Sequence, residues 1–108
     1  VGQEGGGNRM KMLVLIFRSS FADEVLKTLD GLKLSGYTEA PAVFGTGAEG
    51  RVFESHAWPG HNTMILSALG ANDVSRVVGA LEKYSKARHK EGEQVPIRIF
   101  AVPCEQLF

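Results

Sequence analysis

A chain of 108 residues has room for one domain, and with 44% apolar and 22% charged residues its composition excludes a disordered chain. Twelve basic residues balance twelve acidic ones, so net charge supplies no pull toward nucleic acid or an anionic membrane. The single cysteine, Cys104, excludes an internal disulfide framework, and no apolar run approaches the ~20 residues of a membrane span, which makes a cytoplasmic protein the expectation.

Residues 1–9 carry Gly5, Gly6 and Gly7 without periodicity and read as a disordered leader or cloning remnant, leaving one domain over 10–108. Met12 to Phe17 is a continuous apolar run and predicts a buried strand. Ser20 then precedes Val25, Leu26, Leu29 and Leu32 at helical spacing, which predicts an amphipathic helix capped by Ser20 and stopped at Gly36. Tyr37 to Phe44 reads as a strand, and Pro41 within it points to a sheet edge or a bulge. A long irregular segment follows, from Gly45 through His61, with the glycine-rich run Gly45-Thr46-Gly47-Ala48-Glu49-Gly50 at its start. Loops of such length in small domains usually carry function.

Beyond the loop the order repeats. Thr63 to Leu69 is strand-like, and Asn72 is placed to cap a helix carrying Val74, Val77, Val78, Leu81 and Tyr84 on one stripe. Lys86 to Glu93 is charged, and Val95 to Val102 alternates as a last strand. The predicted class is α+β, a ferredoxin-like βαββαβ domain whose antiparallel four-stranded sheet carries two helices on one face. Leu13 and Leu15 alternate with Val14 and Ile16, so the first strand is apolar on both sides. The uncovered sheet face calls for a partner, and self-association is the simplest one.

Four pieces in this order carry a family resemblance: Gly36-Tyr37-Thr38-Glu39-Ala40; Val43-Phe44 with the glycine-rich run; Asn72-Asp73-Val74-Ser75-Arg76-Val77-Val78; and Ile99-Phe100-Ala101-Val102-Pro103. Together they resemble the nitrogen regulatory PII signalling proteins and their small CutA-like relatives. The resemblance implies a homotrimer with adenine nucleotide (ATP, ADP or AMP) held in clefts between subunits. It also implies a long loop that docks on a regulated partner such as a membrane transporter. Gly45, Thr46, Gly47, Arg88, Lys90, Gly92 and Arg98 are the effector-binding candidates on this view, and Arg51, Phe53 and Trp58 the docking candidates. The chain departs from the pattern where Ala48 and Glu49 replace a glutamine and a lysine. It departs again where Glu91, Glu93 and Pro96 stand in the second phosphate-binding segment, and its loop has no tyrosine. Added carboxylates and an amide lost to proline weaken an anion cradle.

Glu54, His56 and His61 offer carboxylate and imidazole ligands suited to a divalent transition metal, so a metal-binding CutA-like trimer tied to metal tolerance or efflux stands as the alternative. The simpler reading of the same histidines is as solvated loop residues or as side chains packed against Trp58. No glycine-flanked nucleophile and no paired acids appear, so an enzyme is not expected.

Overall fold

A computed structural model of the chain describes residues 9–47, 50–51 and 61–108. Strand β1 (Met10–Arg18) leads through a single 3-10 turn (Ser19–Phe21) into helix α1 (Ala22–Gly31). Strands β2 (Thr38–Val43) and β3 (Asn62–Gly70) flank the loop, helix α2 (Ala71–Lys90) returns across the sheet, and β4 (Ile97–Pro103) completes it. The sheet order is β2-β3-β1-β4 with every neighbouring pair antiparallel. This is the ferredoxin-like arrangement that the order of elements predicts. Inside the loop, Thr46–Gly47 and Gly50–Arg51 pair as a separate short ladder.

Alternation along β1 builds the core. Leu13, Leu15 and Phe17 lie beneath the helices with Ile65 and Leu69 of β3 beside them, and Val25 and Leu29 of α1 and Val77 and Leu81 of α2 close over them. Full burial of each such side chain contributes about 1.5–3 kcal/mol, so this single layer supplies most of the folding drive. The register puts Met12, Val14 and Ile16 on the opposite face beside Ala68, Leu66 and Met64 of β3 and Val102, Phe100 and Arg98 of β4. No element among the described residues covers that face, and Phe100 and Val102 stay about half exposed on it.

Pro41 sets the shape of β2. The strand pairs regularly from Thr38 to Ala40, then shifts register before Val43, because proline has no N–H for the ladder. The Pro41 carbonyl is instead met by two hydroxyls, Ser19 Oγ at 3.1 Å and Thr63 Oγ1 at 3.2 Å. These hydroxyls lie 2.7 Å apart, so their two protons serve three contacts. Ser67, the second buried polar residue of β3, donates to the Gly36 carbonyl and holds the approach to β2 in the same way.

Three local expectations are corrected. Neither helix has a side-chain N-cap bond: α1 starts from Phe21 rather than Ser20, and α2 starts from Gly70 with Asn72 already inside it. The 3-10 turn removes the extended backbone a capping Ser20 would need, and β3 runs directly into α2 without one. Helix α1 also stops five residues before Gly36, at Gly31, with Lys33 taking the left-handed conformation (φ 59°) usually left to glycine.

Candidate functional site

Three pieces of the chain lie at the same end of the sheet. They are the stems of the loop at the β2 edge, the start of β4 at the opposite edge and the C-terminal turn of α2, because α2 runs back antiparallel to β3 and returns to the end where the loop leaves. The stems are tied to the sheet on both sides. The Ser19 amide donates to the His61 carbonyl at 3.2 Å, and Phe44 and His61 meet edge to face with ring centroids 6.5 Å apart. A Cβ built on Gly45 would sit 3.7 Å from the Asn62 side-chain amide, so the glycine-rich run starts against β3.

At the end of α2, Gly92 (φ 88°) forms the left-handed cap. Its amide donates to the His89 carbonyl at 2.9 Å and the Glu93 amide donates to the Arg88 carbonyl at 3.1 Å, the paired bonds of a Schellman motif. That turn folds Glu91 and Glu93 back onto Arg88. The guanidinium donates to both carboxylates and lies 3.5 Å from Glu24 of α1, which also accepts from the Tyr84 hydroxyl. Burial lowers the Arg88 pKa, but Glu24, Glu93 and Glu91 outweigh it and hold the guanidinium charged. Burial, and then the bond to Glu24, push the Tyr84 hydroxyl above the ordinary phenol range.

A groove opens beside this turn on the helix-bearing side of the sheet. It encloses about 520 Å³ between Ser85, Lys86, His89 and Lys90 of α2 and the segment Glu93 to Pro96. Lys86, His89 and Lys90 share one helix face at three- and four-residue spacing, a signal present in the sequence.

The family model for the nitrogen regulatory protein P-II matches residues 10–108. The chain belongs to the P-II family. Solved structures of similar fold agree. A DUF3240 family protein from Shewanella baltica OS155 superposes with a TM-score of 0.69 at 22% identity, covering 92% of this chain and 93% of that one. CPII of Thiomonas intermedia K12, a nitrogen regulatory PII-like protein bound to ADP, AMP and bicarbonate, gives 0.62 at 16% identity over 90% and 89%. A PII-like signalling protein of Thermus thermophilus gives 0.58 at 17% identity over 86% of each chain. At these identities the likeness is one of fold. Among curated proteins there is no sequence match.

Within this P-II domain the effector candidates fall into three places. Gly45, Thr46 and Gly47 lie at the loop stem, with Thr46 and Gly47 in the short ladder opposite Arg51 and Gly50. Arg98 pairs with Ile16 and so stands on the open sheet face at the same end. Arg88, Lys90 and Gly92 belong to the end of α2, where three carboxylates already surround Arg88 and an arriving phosphate would compete with them. Sequence reasoning missed this knot because Glu24 is sixty-four residues from Arg88 and only the fold joins them. The docking residues Phe53 and Trp58 and the metal candidates Glu54 and His56 lie outside the described residues. Among the described residues no group of three or more His, Cys, Asp or Glu side chains is placed to hold a metal. No helix of the described residues is long and apolar enough to cross a membrane.

Proposed function

We propose that this P-II family protein is a non-enzymatic regulator that acts in the cytoplasm as a homotrimer. It binds an adenine nucleotide, with or without a small anion, where the loop stem of one subunit meets the sheet end of another. The match of the family model over residues 10–108 carries this reading. CPII, bound to ADP, AMP and bicarbonate, supplies the class of effector. Gly45, Thr46 and Gly47 then offer backbone to the ligand, while Arg98 and Lys90 offer charge. Gly92 and Arg88 act by fixing the turn that carries Lys90. The uncovered face around Val14, Leu66 and Phe100 is where subunits associate, since an apolar face of that extent is costly in water.

Signalling follows from ordering. An effector that contacts the stems at Gly45 to Gly47 selects one conformation of the 45–62 loop, and a partner such as a membrane transporter reads that conformation through Arg51, Phe53 and Trp58. Calorimetry with ATP, ADP and AMP, each with and without bicarbonate, tests the effector class. Saturable heat with at least one nucleotide is expected, weakened about tenfold by Arg98→Gln as a charge-assisted contact is lost. Absence of heat with all three at millimolar concentration would overturn it.

A further inference from the structure

We infer that Met10, Met12 and Cys104 form a soft-metal site for a monovalent copper ion, Cu(I), at the end of the sheet opposite the loop. Of the chain's three methionines and one cysteine, all but Met64 stand there. The register brings them together. Met10 and Met12 are alternate residues of β1, so their side chains leave the same face of the sheet, about 7 Å apart along the strand. Met12 pairs with Val102 and Lys11 with Pro103. The Cys104 amide then donates to the Met10 carbonyl at 3.3 Å, which carries the same register one pair further and sets Cys104 opposite Met10. Opposed residues of an antiparallel pair share a face, with Cβ atoms about 4.5–5.5 Å apart, and the diagonal neighbour, here Met12, stays within reach of a long side chain.

The surroundings suit an ion. On the other flank of β1 the partners of Met10 and Met12 are Gly70 and Ala68, so nothing larger than a methyl group occupies those positions and the unbranched methionine side chains have room to turn toward Cys104. None of the three sulfur residues belongs to the core beneath the helices. Cys104 is a free thiol, and like both methionines it is partly exposed, so an ion can reach it. One thiolate with two thioethers is a soft donor set of the kind that selects Cu(I). Zinc takes thiolate, imidazole and carboxylate ligands, and among the described residues no group of three such side chains is placed to hold it. Binding exchanges a proton for the metal: the Cys104 S–H bond breaks, its proton passes to solvent, a Cu–S bond forms, and copper keeps its oxidation state. The site is separate from the effector site proposed above, since the loop stems and Arg98 stand at the other end of the sheet.

The test adds Cu(I), supplied without oxygen as its acetonitrile complex, to the full chain in competition with a chromogenic Cu(I) chelator. Saturable uptake is expected, with a metal shell of sulfur alone in X-ray absorption spectra. Met10→Leu with Met12→Leu keeps the apolar volume and is expected to weaken binding by at least about tenfold. Cys104→Ser is expected to abolish it, and Met64→Leu, on the same face at the loop end, to leave it unchanged. Unchanged affinity in the double methionine variant would reduce the site to a lone thiol and overturn it. So would imidazole or carboxylate in the metal shell, or displacement of the copper by equimolar zinc.

Discussion

Lys33 and Gly92 occupy the same position after the two helices, one residue past the C-cap, and both have positive φ. Glycine adopts that conformation without steric cost and lysine does not. Lys33→Gly is therefore expected to stabilise the fold by about 0.5–1 kcal/mol, read as a higher urea midpoint at constant slope; a lower midpoint would refute the strain. Gly92→Ala is expected to cost about 1 kcal/mol through backbone conformation alone, because an added Cβ meets nothing within 4 Å. The tyrosines add a pH dependence. Tyr37 is raised by its hydrogen bond to Asp30 and by burial, and Tyr84 by burial and its bond to Glu24, both from an ordinary value of 10.0. A phenol that holds its proton more tightly when folded gives stability that is complete below the unfolded value and is lost as pH rises toward the folded one. Stability should thus fall once pH passes about 10, and Tyr37→Phe with Tyr84→Phe should flatten that fall in denaturation curves.

Among the elements, β2 depends most on others. Its proline breaks the ladder, and the hydroxyls of Ser19 and Thr63 take over the carbonyl left behind. Thr63→Val keeps the volume but removes a buried donor, and a loss of about 1–3 kcal/mol is expected with faster hydrogen exchange confined to β2 and the loop stems. Uniform exchange across the sheet would show that the knot does not hold the loop. How much of this was legible in the sequence follows from the range of the interactions. The apolar run in β1, the stripe of α2 and the meaning of Pro41 are local, and each predicted its element and setting. The Ser20 and Asn72 caps and the Gly36 stop failed because chain connections decided them: β3 enters α2 without a break, and Lys33 tolerates a conformation assigned to glycine. The Arg88 knot was not legible, since only the fold brings Glu24 of α1 to Arg88, and the groove depends on the turn after α2 that folds Glu93 to Pro96 back beside the helix.

For the whole molecule, the two faces of the sheet have opposite fates. One is sealed by helices, and the other presents Val14, Leu66, Phe100 and Val102 without a cover among the described residues. Phe100→Asp, at a position about half exposed in the single chain, is expected to leave the circular dichroism spectrum intact while light scattering falls from a trimer to a monomer. A trimer that persists would move the subunit contact elsewhere. If the proposed trimer forms through that same face, the protein's folding becomes a matter of concentration: assembly withdraws folded chains from the unfolding equilibrium, so dilution alone should lower the melting temperature. Effector sites completed by two subunits would then vanish along with the trimer, and scarcity of the protein would silence it before any ligand did.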